Sequence, residues 1–192
     1  LYDTASMFVG VDSDALIDNG DSYVSMFDKK DPPPVTPDEN DPDGEGTVSL
    51  SGLELPGYGE LYGYIRFVDH DAGNIKLFYG DDTATLKKGA GQSSRSFMPG
   101  FGRSILVGAH VNSFFAPLKK GDTVEIKTYY GVYTYEVFDI RVIDPSKSDE
   151  APDLTQDSEE LLMLYTCYPF SALWRSERYV VYCHKTGGPD VR

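Results

Sequence analysis

Residues 161–167 read LLMLYTC and residues 178–183 read RYVVYC, two short apolar runs rich in β-branched, aromatic and aliphatic side chains. Such runs are typical of strands, and the polar, Pro-containing stretch between them predicts a loop. Similar runs stand at 61–68, 74–80, 104–111, 123–130 and 132–143. Many short strands without a long helical pattern between them favour an all-β barrel or sandwich over an α/β sheet.

The N-terminal part of the chain differs in composition from the rest. Residues 1–29 carry scattered apolar positions that predict one or two short amphipathic helices. Residues 31–46, DPPPVTPDENDPDGEG, are rich in Pro, Gly and acidic residues, which is typical of a linker or exposed loop. We therefore divide the chain into an N-terminal appendage with its linker, residues 1–50, and a β-domain, residues 51–192.

Charge and hydropathy exclude some classes of partner. The formal net charge is −14, whereas a protein that binds duplex nucleic acid needs a basic surface, so no nucleic-acid partner is expected. No run approaches the roughly 20 apolar residues that span a bilayer. The chain also lacks an initiator Met, which favours an ectodomain attached to the membrane only through an anchor outside these residues.

Cys167 is the candidate nucleophile. It ends an apolar run just before Tyr168-Pro169, so its thiol is expected at a rigid yet accessible strand end. Thiolate is the attacking species, and the candidate neighbours that would favour it are His110, which ends SILVGAH, and Arg178, which begins RYVVYC. Taken alone, Cys167 and His110 are each more often structural, and an isolated Cys usually behaves as a small buried apolar residue.

The local sequence resembles that of the sortases. LYTC (164–167), followed by a loop and then Arg178 before an apolar strand, resembles their catalytic stretch. MPGFGRSILVGAHVNSFFAPLKKGDTVEIKT (98–128) resembles the stretch that carries their histidine, and GVYTYEVFDIRVI (131–143) resembles the strand that follows it. The resemblance covers roughly residues 57–184. It departs in one respect, since Ala109 separates Gly108 from His110 where many sortases have His directly after Gly.

This resemblance implies a fold and a catalytic site. The fold would be a closed all-β barrel of about eight strands with short helices, and residues 51–192 would be its catalytic domain. Cys167 would attack the scissile carbonyl, His110 would protonate the leaving amine, and Arg178, preferred over Arg175, would stabilise the oxyanion or position the peptide. The three groups would lie within roughly 4–7 Å of one another at one end of the barrel. Cys183 then has no assigned role, and a disulfide with Cys167 is not expected.

The resemblance also implies a groove for a peptide between the loops 144–160 and 168–177. The following side chains are predicted to bind the substrate: Thr166, Tyr168, Phe170, Leu173 and Trp174. No metal site or cofactor is predicted. The acidic loop at 149–160 and the partial calcium-loop spacing that begins at Glu39 give only weak support for calcium.

The predicted activity is that of a transpeptidase. It would cleave an LPxTG-like signal in secreted proteins, form a thioester and transfer the protein to a cell-wall or pilin amine outside the membrane of a Gram-positive bacterium. The sequence YTCYPF (165–170) most resembles that of class D-like sortases, and class C is the second candidate. Two alternatives remain: a non-catalytic, surface-displayed barrel that binds peptides, and an L,D-transpeptidase, whose cysteine motif carries a Gly that Tyr165-Thr166-Cys167 lacks.

Overall fold

The computed structural model describes residues 23–29, 31–37, 44–71, 73–109, 115–147, 159–170 and 176–192. In these ranges the secondary structure is mainly strand, with short helical turns. The strands are β1 (Val35–Thr36), β2 (Thr47–Val48), β3 (Leu61–Phe67), β4 (Ile75–Tyr79), β5 (Ala90–Gln92), β6 (Ile105–Gly108), β7 (Thr123–Thr128), β8 (Gly131–Ile143), β9 (Leu161–Tyr168), β10 (Glu177–Gly187) and β11 (Asp190–Val191). The helices are α1 (Thr83–Leu86) and two 3-10 turns, Met26–Asp28 and Leu50–Gly52.

Eight strands close into a barrel in the order β10-β8-β7-β3-β4-β5-β6-β9, and β9 pairs with β10 to complete the circle. Two neighbouring pairs, β4 with β5 and β6 with β9, are parallel, and the other pairs are antiparallel. The predicted all-β class and closed barrel are therefore confirmed. The runs that predicted strands at 61–68, 123–130 and 132–143 correspond to β3, β7 and β8.

Large side chains fill the barrel interior. Tyr62, Phe67, Tyr130, Tyr133 and Tyr135 are among the largest fully buried residues. A barrel of this strand number has an interior just wide enough for side chains to fill, so these aromatic rings form a packed core rather than line a channel.

β9 is apolar on both faces because each face packs against a different cluster. Leu162 and Leu164 belong to the large interior cluster. Met163 and Tyr165 belong to a smaller cluster together with Val180 of β10. Successive side chains of a strand point to opposite faces, so odd-numbered residues of β9 lie on the outer face of the barrel.

The described part of residues 1–50 packs against the barrel. Met26 and Val48 are buried in the interior cluster, and Ser25 bridges to Leu61 at the start of β3. β2 pairs with β1 on one side and with β11 on the other, so part of the predicted linker forms a strand. The boundary at residue 50 stays a prediction, and residues 1–22 and 38–43 lie outside the described residues.

Candidate active site

Cys167 and Arg178 lie directly opposite each other on β9 and β10. The two antiparallel strands keep one register from Glu177 opposite Tyr168 to His184 opposite Leu161, and Arg178 is the Cα partner of Cys167 in that register. Opposed residues of an antiparallel pair have Cα atoms about 4.5–5.5 Å apart. The sequence reasoning that selected Arg178 for this position therefore agrees with the strand pairing.

Both side chains lie on the outer face of the barrel. Cys167 follows Met163 and Tyr165 in the alternation along β9, and Arg178 precedes Val180 in the same way on β10. Cys167 is 6% exposed and Arg178 is 5% exposed. Both residues are thus largely shielded from water, in a place where a charge acts more strongly than it does at the surface.

The neighbours of Arg178 are polar on one side and apolar on the other. Its Nη1 donates a hydrogen bond of 2.9 Å to the carbonyl oxygen of Glu177. Its partner on β8 is Ile143, which is buried. The Glu177 carbonyl satisfies one of the five donors of this almost fully buried guanidinium.

β6 brings the segment before His110 to the same region. Gly108 is the partner of Tyr165 on β9, and the backbone N–H of Ala109 donates to the carbonyl oxygen of Tyr165 at 3.0 Å. His110 is the next residue in the sequence but lies outside the described residues. The strand pairing places Cys167 and Arg178 side by side. The convergence of their reacting groups with His110, at distances of roughly 4–7 Å, stays a prediction.

The predicted substrate-binding residues Thr166 and Tyr168 alternate with Cys167 and lie on the opposite face of β9. The Tyr168 ring packs against Phe170 at 5.2 Å and against Tyr179 at 6.5 Å, and Phe170 also contacts Tyr179 at 5.3 Å. These rings therefore stabilise one another near the end of the barrel. Their role in binding a peptide stays a prediction, and the other predicted positions, Leu173 and Trp174, lie outside the described residues with Arg175.

Cys183 is separated from Cys167 by both position and face. It lies opposite Leu162, at the other end of the β9–β10 ladder, and is buried in the interior cluster. Both cysteines are free thiols. Burial raises the pKa of the Cys183 thiol well above its ordinary value, which keeps it protonated and unreactive. The expectation that the two cysteines form no disulfide is confirmed.

Comparison with known proteins identifies the family. The family model described as the sortase domain matches residues 68–186. The chain belongs to the sortase family. It is 30% identical over 131 residues to sortase D of Bacillus subtilis, and this match covers 66% of the chain and 65% of that protein.

Solved sortases share the fold. A structure of sortase C from Clostridium perfringens with the C-terminal cell wall sorting motif has a TM-score of 0.59 and 26% identity, and the match covers 69% of this chain and 77% of that one. Sortase A from Corynebacterium diphtheriae has a TM-score of 0.55 and 26% identity, with 70% and 63% covered. Since sortases of classes A, C and D all resemble the chain, the assignment to class D stays a prediction.

Near Cys167, the sequence reasoning did not single out Tyr165 or Asp81, whose charges and burial influence each other. Tyr165 precedes Cys167 on the same face of β9 and is 5% exposed. Burial and the nearby Asp81 carboxylate raise the pKa of Tyr165, while Arg178 lowers it, so both charges act on this phenol. Asp81 is half-buried, and burial raises the pKa of its carboxyl although a hydrogen bond with Ser93 opposes this. The signal for Tyr165 was its spacing from Cys167; nothing in the sequence singled out Asp81.

The described residues give no indication of a metal site or of a helix that spans a membrane. Within the described ranges, no group of three or more His, Cys, Asp or Glu side chains is placed to hold a metal ion. Most of the acidic loop at 149–160, and the acidic residues of the spacing that begins at Glu39, lie outside those ranges, so calcium binding there stays untested. Nor do the described residues include a helix long and apolar enough to cross a membrane.

Proposed function

We propose that this sortase is a cysteine transpeptidase that cleaves an LPxTG-like sorting signal at Cys167 and transfers the cleaved protein to an amine. The observation that carries the proposal is the pairing of Cys167 with Arg178 on the outer face of the barrel. Membership in the sortase family supports it, as does the likeness to a sortase C structure that contains a sorting motif.

The first half-reaction forms a thioester. The Cys167 thiolate attacks the carbonyl carbon of the scissile peptide bond, and a C–S bond forms as the carbonyl oxygen gains negative charge. The Arg178 guanidinium donates hydrogen bonds to that oxyanion, which stabilises charge that exists only in the transition state. The C–N bond then breaks, and His110 as imidazolium gives its proton to the leaving amine.

The second half-reaction returns the enzyme to its starting state. The acceptor amine attacks the thioester carbonyl, a new C–N bond forms, and the C–S bond breaks to release Cys167 as thiolate. The proton lost by the amine passes to His110, which is imidazolium again. Water in place of the amine gives slow hydrolysis. This cycle needs no metal or redox cofactor.

The substrates and location follow from the same proposal. The donor is a secreted protein with a C-terminal sorting signal, and the acceptor is an amine of a cell-wall peptide or a pilin subunit. The enzyme acts outside the cytoplasmic membrane of a Gram-positive bacterium, attached through an anchor beyond these residues. The net charge of −14 argues against nucleic acid as a partner.

The family match removes the support for an L,D-transpeptidase. A non-catalytic barrel would have Cys167 as an ordinary buried thiol, with no convergence of His110 and Arg178. Membership in the sortase family argues against that alternative. The discriminating experiment is incubation of the whole chain with a panel of LPxTG-like pentapeptides and a short amine acceptor, followed by mass spectrometry. Cleavage and transfer are expected for the native chain and not for Cys167→Ala. Cleavage that survives in Cys167→Ala would overturn the proposal.

A further inference from the structure

Three aromatic side chains pack together behind the Cys167–Arg178 pair. They are Tyr168 at the end of β9, Phe170 in the loop that follows, and Tyr179 near the start of β10. We call these three residues the aromatic cluster. Successive side chains of a strand point to opposite faces, so Tyr168 and Tyr179 point away from the face that carries Cys167 and Arg178. The cluster therefore lies on the other side of the same two strands.

The register of β9 and β10 places the Cys167–Arg178 pair between the two tyrosines. Tyr168 belongs to the row of the ladder that follows this pair, and Tyr179 belongs to the row that precedes it. The two tyrosines are thus diagonal neighbours on one face, about 7–8 Å apart and within reach of each other's rings. Their contact spans the row that carries the thiol and the guanidinium.

The three rings of the aromatic cluster all contact one another. Tyr168 and Tyr179 stack at 6.5 Å with 26° between the ring planes. Phe170 meets Tyr168 edge-on at 5.2 Å and Tyr179 at 5.3 Å. Ring centroids about 4.5–7 Å apart in stacked or edge-to-face arrangements attract each other. Phe170 lies three residues beyond Cys167, so its contacts tie the start of the loop back onto both strands.

The aromatic cluster also holds the last row of the β9–β10 ladder. That row pairs Tyr168 with Glu177, and beyond it the chain leaves the sheet. The carbonyl oxygen of Glu177 accepts the hydrogen bond of 2.9 Å from Nη1 of Arg178. The end of a ladder opens more easily than its middle, because the last row has a neighbouring row on one side only. Contacts that hold Tyr168 in this row therefore also hold one acceptor of the guanidinium.

We propose that the aromatic cluster positions the Cys167–Arg178 pair: it keeps the end of the β9–β10 ladder closed, so that the thiol and the guanidinium stay opposite each other during acyl transfer. The inference rests on the proposed function, which gives this pair its catalytic role. A displacement of about 1 Å between reacting groups can lower a rate by about a hundredfold. Tyr168 and Phe170 then act without contact with the peptide, because a peptide joined to the Cys167 sulfur lies on the other face of β9.

The kinetic test is Phe170→Ala, which removes the ring that contacts both tyrosines. Rates of cleavage of an LPxTG-like pentapeptide over a range of concentrations give kcat and KM. We expect kcat to fall about tenfold and KM to stay within about twofold, since the aromatic cluster acts on the reacting groups and not on the peptide. Phe170→Leu replaces this variant if Phe170→Ala does not fold.

Two kinetic results would overturn the proposal. A KM that rises while kcat stays the same would show that Phe170 binds the peptide directly. A kcat and KM that both match the native values would show that the ring of Phe170 has no part in the reaction.

A conservative variant and a matched control show whether the rings themselves are needed. Tyr179→Phe keeps all three rings and should have the native kcat, whereas Tyr179→Leu should lower kcat as Phe170→Ala does. The control is Phe138→Ala, because Phe138 stacks on His184 at 5.5 Å and His184 lies opposite Leu161 at the other end of the ladder. A loss of kcat in Phe138→Ala equal to that in Phe170→Ala would contradict the proposal, as would a native kcat in Tyr179→Leu.

Hydrogen exchange followed by NMR tests the closed ladder without a peptide. In Phe170→Ala, the protected amides among residues 166–168 and 177–179 should exchange about tenfold faster than in the native chain, while those of residues 161–164 keep their native rates. Equal rates in both proteins, or the same acceleration at both ends of β9, would overturn the proposal. A native chain that cleaves no peptide would count against the proposed function, and the exchange rates would still decide whether the aromatic cluster holds the ladder.

Discussion

Tyr135 donates a hydrogen bond of 2.6 Å from its hydroxyl to Oε1 of Glu160 inside the barrel, at the end of β9 remote from Cys167. Glu160 is 5% exposed. Its carboxylate also accepts backbone N–H bonds from Gly100 at 3.1 Å and from Gly102 at 2.8 Å. A buried carboxylate needs such donors, and here they tie the 98–102 turn to the start of β9.

Removal of this carboxylate should destabilise the fold. Glu160→Ala leaves two backbone N–H groups and the Tyr135 hydroxyl without their acceptor, which costs about 3 kcal/mol of unfolding free energy, whereas Tyr135→Phe costs about 1 kcal/mol. Urea denaturation measures both. Tyr64→Phe on β3 is the control and should change stability by less than about 0.5 kcal/mol. A Glu160→Ala variant as stable as this control would show that the Glu160 network contributes nothing.

The carboxyl group of Asp139 should have a lower pKa in the folded protein than in the unfolded chain. It accepts from Lys120 at 2.8 Å and from Arg141 at 2.5 Å, and these hydrogen bonds hold the pKa of its carboxyl at about 2. The stability it contributes is therefore present above its unfolded pKa of about 3.9 and is lost as the pH falls towards about 2.

Two measurements check this. Carbon-13 NMR titration should give an Asp139 midpoint near the depressed value, and a midpoint at about 3.9 would refute the pairing. In urea denaturation, the stability difference between the native chain and Asp139→Asn should shrink as the pH falls through that window. Lys120→Met, which removes the charged partner and keeps most of the apolar length of the side chain, should move the midpoint part of the way back.

The two cysteines should differ completely in function. Cys167→Ala should abolish cleavage and adduct formation with the fold intact. Cys183→Ala should retain most activity, because the Cys183 thiol lies in the interior cluster and faces away from the site. Peptide cleavage measured beside a thermal melt separates lost chemistry from lost structure. An equal loss of activity in two folded variants would mean that the nucleophile is misassigned.

Trp174 is predicted to contact the bound peptide from the 168–177 loop. Trp174→Ala should lower kcat/KM for the peptide by about tenfold, which corresponds to about 1.4 kcal/mol of transition-state binding. That amount is reasonable for one aromatic contact. Unchanged kinetics in a folded Trp174→Ala variant would show that this aromatic side chain does not bind the substrate.

The strands that carry the site could be predicted because their aliphatic, β-branched and aromatic residues favour a strand. The run at 161–167 became Leu161–Tyr168, and the run at 178–183 became the core of Glu177–Gly187. The partnership of Cys167 with Arg178 was also expected, from the resemblance of these runs to the catalytic stretch of sortases. What the sequence did not reveal is the face on which each residue lies, since β9 is apolar on both sides and has no polar alternation to mark the outside.

Strand β5 could not be predicted from the sequence, because it forms through pairing with its neighbours rather than through its own residues. Its sequence, Ala-Gly-Gln, has no β-branched or aromatic residue and no apolar alternation. The strand exists because β4 and β6 pair with its two edges. Gly91 is required there because a Cβ atom would lie 2.3 Å from the carbonyl oxygen of Gly80. Such a close approach of two backbone segments leaves only a glycine as its mark in the sequence.

The central claim is that Cys167 forms a covalent acyl-enzyme with a sorting signal, and intact-protein mass spectrometry after a single turnover without an amine acceptor tests it most directly. The account predicts a mass increase equal to the acyl part of the peptide, located on Cys167 and released by hydroxylamine as a thioester should be. Arg178→Gln should form the adduct far more slowly, and Cys183→Ala at close to the native rate. Peptide cleavage without an adduct on Cys167, or an adduct that persists in Cys167→Ala, would contradict the account.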